Sequence, residues 1–243
     1  MENCSKHGEY ESEQLYSHGK LMLAKSCKKC QEEAEEQSAI QAEQKKLARQ
    51  KQDKKQRFES RMRLANIPDR FNSIGFDEYK VSNFGQKKNL AECKKYAAEF
   101  APGVNLILCG ETGTGKTHLA VAIVKAVIAE DNSAMYTRAS AMLREVKSTY
   151  SSSSNSTEDD IIKKYSSPDL LVIDEIGVQY GSEAEKNIIF EILNERYERV
   201  RSTIIVSNLA IEGIEQFIGS RLVDRLREGG GSIVIFNWGS ARK

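Results

Sequence analysis

Two groups of residues in this chain have the types and spacing that chemistry requires. The first is Gly110-Glu111-Thr112-Gly113-Thr114-Gly115-Lys116-Thr117, a G-x-x-x-x-G-K-T run between an apolar stretch and a helical pattern. Glycines at these places let backbone N–H groups turn inward around phosphate oxygens, and the helix start adds the positive end of its dipole. Lys116 supplies a flexible positive charge for β and γ phosphates, and Thr117 a hydroxyl for Mg²⁺. The expected nucleotide contacts are Gly110, Thr112, Gly113, Thr114, Gly115, Lys116, Thr117 and the neighbouring His118. Asp174 and Glu175 close the apolar run Leu170-Leu171-Val172-Ile173, where an open α/β sheet collects its ligands. Asp174 would then stand on the magnesium side with Thr117, and Glu175 would polarise the attacking water as general base. A third strand ends in Ser207-Asn208, which puts a polar residue in position to hold that water in line. Arg221 and Arg225, spaced i, i+4, share a helix face and are candidates for stabilising transition-state charge.

The second group is Cys4-x2-His7 with Cys27-x2-Cys30. Two short ligand pairs can wrap one tetrahedral ion, and thiolates with an imidazole select Zn²⁺. A segment with so few large apolar side chains needs a metal to fold. His18 competes as the fourth ligand but lacks the paired spacing. Of the other cysteines, Cys109 ends an apolar run and is expected to be buried, and Cys93 lies in a helical pattern.

These residues must be positioned by the elements around them, and the 243-residue chain divides into three parts. Residues 1–30 form the predicted zinc-binding module. Residues 31–65 form a polar linker, acidic at the start (Glu32, Glu33, Glu35, Glu36) and basic at the end (Lys54, Lys55, Arg57, Arg61, Arg63). That polarity suits one long exposed helix, and its apolar positions are too sparse for a coiled-coil seam. Ile67-Pro68-Asp69 breaks it. From residue 66 to 243 strands and helices alternate. Strands are predicted at Val104 to Cys109, Ala134 to Thr137, Leu170 to Ile173, Thr203 to Val206 and Ile233 to Phe236. Helices are predicted at Lys116 to Ala129, around Leu143 and at Glu183 to Arg199. Ser148 to Asp160 reads as a Ser-rich mobile surface loop. The alternation implies a parallel sheet covered on both faces. With 36 Lys+Arg against 35 Asp+Glu, overall charge selects no anionic partner, so nucleic-acid binding would need local patches. No apolar run is long enough to span a bilayer and no signal-peptide core is present, so a cytoplasmic protein without a membrane partner is expected.

With these residues assembled, the chain resembles the AAA+ ATPases of the DnaC-type replicative helicase loader family. The similarity covers about residues 64 to 243. It rests on Leu171-Val172-Ile173-Asp174-Glu175-Ile176-Gly177-Val178-Gln179, Glu185-Lys186, Ser207-Asn208-Leu209, Arg221 with Asp224-Arg225, and Ile235-Phe236-Asn237-Trp238. Ile67-Pro68-Asp69-Arg70-Phe71, with Phe76 and Tyr79, also resembles how loader and transposition-helper ATPase domains begin. The resemblance implies an α/β P-loop fold with a five-stranded parallel sheet in the order 5-1-4-3-2. It implies ATP with Mg²⁺ as cofactors, and Lys116, Asp174, Glu175, Asn208 and Arg221 as the catalytic set. Asn208 matches the sensor-1 position. Arg221 matches the arginine finger acting on ATP in an adjacent subunit, with Arg225 the fallback. The implied partners are a hexameric DnaB-type replicative helicase, carrying up to six copies, and single-stranded DNA, with Tyr150 near Arg144 and Lys147 on the DNA side. The N-terminal region would grip the helicase. The short stretch after Asn208 leaves no room for a separate C-terminal helical lid.

Two other readings are open at this point. An IstB-like transposition-helper ATPase shares the fold and the Pro-x-Arg-Phe opening, and differs in serving a transposase. A zinc-containing nucleic-acid adaptor would use the nucleotide only as a switch.

Overall fold

The computed structural model describes residues 1–11, 14–17, 19–24, 27–151, 154–177 and 182–240. His18, Val178 and Gln179, named above, lie outside the described residues. Two compact units are present, Met1–Gln56 and Arg57–Lys243.

In the first unit, β1 (Glu2–Cys4) pairs antiparallel with β2 (Gly8–Tyr10), and β3 (Gln14–Ser17) with β4 (Lys20–Ala24). The polar segment forms α1 (Lys28–Leu64), none of whose residues is buried. At 1.5 Å per residue the helix is about 55 Å long. It starts a few residues before the expected position, so Cys30 sits in its first turn. The boundary between the units falls within α1.

The helix stops because Asn66 turns left-handed (φ 54°), after which Pro68 opens a short 3-10 turn at Asp69–Phe71. The second unit then runs α2 (Phe84–Ala98), β5 (Leu106–Gly110), α3 (Lys116–Ala129), β6 (Ala134–Arg138), α4 (Ala139–Ser148), α5 (Glu158–Ser166), β7 (Leu170–Ile176), α6 (Glu183–Glu198), β8 (Ser202–Ser207), α7 (Ile211–Ile218), α8 (Ser220–Arg227) and β9 (Ser232–Phe236). The last five strands form one parallel sheet ordered β6-β7-β8-β5-β9. Counted from β5 as first strand and read from the β9 edge, this is the expected 5-1-4-3-2.

Alternation along the strands builds the core on both faces. Leu106, Leu108, Tyr136, Val172, Ile204, Val206 and Phe236 pack with α2 and α3. Ile107, Cys109, Leu171, Ile173 and Ile205 pack with helices α4 to α8 on the other side. Cys93 and Cys109 are both buried. Among the described residues no helix is long and apolar enough to cross a membrane.

One sequence expectation is corrected. Glu158, Asp159 and Asp160 are not loop but the first turn of α5. The Thr157 side chain accepts from the Asp160 N–H, and the Asp160 carboxylate accepts from the Thr157 N–H, a reciprocal cap that starts a helix inside the polar tract. Acids in the first turn also favour the helix dipole.

Candidate nucleotide site and candidate metal centre

The carboxyl ends of β5, β7 and β8 surround a cleft of about 300 Å³. Its walls are Thr112 to His118, Asp174, Glu175 and Asn208, joined by Arg70, Phe71 and Val206. Gly110 does not line the cleft. It ends β5 at φ 119°, where an added Cβ would lie 2.2 Å from the Phe236 carbonyl oxygen. Gly115 caps α3 at φ 97°, with the Tyr79 ring 2.6 Å from where a Cβ would stand. Only glycine satisfies both the left-handed angle and the close approach.

Lys116 is buried within the loop that it follows. Its Nζ donates to the Gly110 carbonyl (2.7 Å) and the Glu111 carbonyl (2.5 Å). The loop is braced from behind. Tyr79 Oη and Trp238 Nε1 both donate to the Thr114 carbonyl (3.2 and 3.3 Å). His118 stacks edge-on against Tyr79 at 5.3 Å and donates through Nε2 to the Gly75 carbonyl at 2.8 Å. Lys125, from the same helix, donates to the carbonyls of Phe71, Asn72 and Ile74. These bonds fix Arg70 and Phe71 against the cleft.

Asp174 is buried and, among the described residues, accepts hydrogen bonds from Thr117, Tyr136 and the Glu175 N–H. Thr117 Oγ1 and Tyr136 Oη both donate to Oδ2 at 2.8 Å, and the Glu175 N–H donates to Oδ1 at 2.8 Å. Burial, and then the Asp174 carboxylate beside it, hold the Tyr136 phenol above its ordinary pKa, so it stays a donor. Pairing along β7 and β8 slips between Ile173 and Ile176, and Glu175 takes φ 62°. This bulge turns the exposed Glu175 carboxylate out of the ladder, where Arg138 Nε lies 3.9 Å from it. Strained backbone of this kind costs about 1–3 kcal/mol and concentrates at functional sites.

Arg221 is exposed on α8 and does not line this cleft. Arg225 is engaged within the chain, donating to Asn194 Oδ1 and lying 4.7 Å over the Tyr197 ring. Tyr150 is exposed just past α4, its hydroxyl donating to Glu158 at 3.1 Å. Arg144 is exposed, and Lys147 pairs with Glu185 at 2.6 Å.

In the N-terminal unit the four expected ligands converge. Cys4, Cys27 and Cys30 Sγ lie 3.8, 3.7 and 3.3 Å from His7 Nδ1, and Cys4 and Cys30 are 3.5 Å apart. All four ligand atoms lie within 4.8 Å of one another. A zinc tetrahedron with Zn–S of about 2.3 Å has edges of about 3.7 Å, so this cage fits the ion. The N–H groups of Lys6 and His7 pull the Cys4 thiol down to about 6, and Cys4 in turn pushes Cys30 up to about 11. A neighbouring thiolate discourages Cys30 from ionising, and a bound dication would relieve that repulsion. His7 Nε2 donates to Glu33 Oε1 at 3.0 Å, and Lys6 pairs with the same carboxylate, so α1 orients the imidazole.

Several of these residues had weak or no signal in the sequence. Glu33 follows Cys30 by one helical turn, a spacing that marks it as its neighbour. Arg70 and Phe71 stood in the opening motif without a site role. Tyr136 reads as one more core residue of a strand.

The sheet order and the loop at the head of α3 define a P-loop nucleotide-binding protein of the AAA+ type. The chain belongs to the family of IstB-like ATP-binding proteins, whose model matches residues 15–227. It is 38% identical over 180 residues to the replicative helicase loader DnaC of Buchnera aphidicola subsp. Acyrthosiphon pisum (strain APS), covering 74% of this chain and 73% of that protein. It is 33% identical over 208 residues to the replicative helicase loader DnaC of Escherichia coli (strain K12), covering 85% and 83%. Among solved structures, the crystal structure of the DnaC helicase loader matches with a TM-score of 0.63 at 23% identity, over 70% of this chain and 99% of that one, a likeness of fold. The resemblance drawn from the motifs is therefore borne out.

Proposed function

We propose that the chain is an ATPase that loads a hexameric replicative DNA helicase onto single-stranded DNA. The reading is carried by the meeting of Lys116, Thr117, Asp174, Glu175 and Asn208 around one cleft, in a chain so similar to proteins named as helicase loaders. Residues 66–243 are the ATPase domain. Backbone N–H groups of the loop and Lys116 hold the β and γ phosphates. Thr117 and Asp174 offer hard oxygen donors 2.8 Å apart, a set that suits Mg²⁺. Bound there, the ion would offset phosphate charge. Glu175 takes the proton of the attacking water and Asn208 holds that water in line. Arg221 reaches the nucleotide of an adjacent copy, a role that its exposure on α8 supports, while the contacts of Arg225 tie that residue to its own chain.

Residues 1–30 form the zinc module and 31–65 the helical arm, and together they bind the helicase. Tyr150 stacks on a base of single-stranded DNA, with Arg144 and Lys147 nearby for its phosphates. Exposure of the aromatic ring supports this assignment.

The test is co-elution of the purified protein with a hexameric replicative helicase in ATP and Mg²⁺. A stable complex lost on deleting residues 1–63 supports the reading, and no complex refutes it. The family description favours one second reading, an IstB-like helper of a transposase. ATP-dependent assembly with a transposase on duplex DNA, in place of the helicase, would select it.

A further inference from the structure

We infer that Tyr136 is a positioning residue for Asp174, setting the orientation of the metal-side carboxylate from the neighbouring strand. The inference rests on the ATPase reading above. Among the described residues, the donors to Asp174 come from different places: Thr117 from the first turn of α3, the Glu175 N–H from the bulge in β7, and the Tyr136 hydroxyl from β6. Thr117 must also face the metal and the phosphates. Tyr136 is buried at 3% exposure, does not line the cleft, and spends its hydroxyl on Asp174 Oδ2. It is thus a side-chain donor to Asp174 that stands outside the cleft.

What sets Tyr136 itself is equally specific. It lies on β6, an edge strand of the sheet. Its backbone N–H donates to the Ala65 carbonyl at 2.8 Å, and the Asn66 side-chain amide donates to its carbonyl at 3.2 Å. Both residues immediately follow the last turn of α1. Arg57 and Arg61, from that last stretch of α1, also bond to Asp131 just ahead of β6. The segment that follows α1 and the metal-side acid therefore meet at one residue, the first through the Tyr136 backbone and the second through its hydroxyl. A phenol that donates to a buried carboxylate fixes its angle, and a carboxylate free to rotate binds a small octahedral cation less well.

The test is a titration of Mg²⁺ against binding of a fluorescent ATP analogue to the full chain, native and Tyr136→Phe. Phenylalanine keeps the ring that packs in the core and removes only the hydroxyl. Loss of one hydrogen bond to a charged group should raise the Mg²⁺ needed for half-maximal binding about tenfold. Affinity in EDTA should stay close to that of the native chain, while the thermal midpoint falls by the several degrees that one buried hydrogen bond to a carboxylate is worth. Superimposable Mg²⁺ titrations would overturn the inference. So would an equal loss of binding with and without Mg²⁺, which marks a structural role only. A native chain that binds no nucleotide at all would instead remove the ATPase reading, before the variant is compared.

Discussion

Thr117 and Asp174 stand 57 positions apart in the chain, and their side chains meet at 2.8 Å. The strand that leads into the helix of Thr117, β5, is not adjacent to the β7 of Asp174, since β8 lies between them. The first turn of α3 leans across the end of β8 to reach β7, and Val206 of β8 lines the floor beneath. Neither residue makes the site alone.

Lys116→Ala should weaken ATP binding by about a hundredfold, because phosphate charge in a partly enclosed cleft would lose its cation. Equilibrium binding of a labelled nucleotide measures this. Unchanged affinity would mean that the loop does not hold phosphates.

Glu175 offers a split between function and stability. Glu175→Gln should leave ATP binding intact and slow hydrolysis about 10²–10⁴-fold, the range for loss of a general base. Glu175→Gly should also lose hydrolysis, yet gain about 1 kcal/mol of stability by relieving the left-handed φ of 62°. The ion pair with Arg138 is half exposed at 3.9 Å and adds little to offset that gain. Urea denaturation of the two variants tests the trade, and a less stable glycine variant would refute it.

The two arginines of α8 should separate. Arg221→Ala is expected to lower hydrolysis of the assembled protein while leaving nucleotide affinity and thermal stability unchanged. Arg225→Ala should cost about 1–2 kcal/mol of stability, because it strips the bond to Asn194 and the stacking over Tyr197. Matching losses from both variants would count against assigning them different roles.

The cysteine cage predicts one zinc ion per chain, read by metal analysis of the purified protein. Cys27→Ser should lose the ion and the helicase interaction, and retain nucleotide binding. Loss of nucleotide binding as well would contradict the separation of the two sites.

Asp169 carries a pH prediction. Its carboxylate accepts from the Ser133 N–H (2.8 Å) and Oγ (2.6 Å) and pairs with Arg201. Burial pushes its pKa up, but the Ser133 hydrogen bonds and the Arg201 guanidinium outweigh it and hold the group below its ordinary 3.8. A depressed carboxylate stabilises the fold above that ordinary value and loses the contribution as pH falls through the folded value. Asp169→Asn should therefore cost about 1 kcal/mol at pH 7, with the penalty fading below about pH 4. Urea midpoints at both pH values decide this.

Local pattern was enough to read the strand–loop–helix at Gly110 to Thr117, because glycine spacing and the helix start are written in consecutive residues. It was enough for the Asp174-Glu175 strand end, for both Cys/His pairs and for the long polar helix, where one short period carries the signal. The start of α5 escaped it, since the Thr157–Asp160 cap lies inside a run of serines that reads as loop. Strand order came from family resemblance rather than from periodicity, which is blind to neighbours.

Only the folded chain decided which distant groups complete each site. Tyr136 carries no mark that separates it from other core aromatics, and its partner is 38 residues away. The bulge that turns Glu175 outward depends on the register of β7 against β8, a property of two strands at once. Arg70 and Phe71 reach the cleft because Lys125 gathers three carbonyls of the opening segment. Each of these contacts is a through-space bond between elements, and a linear pattern holds no term for it.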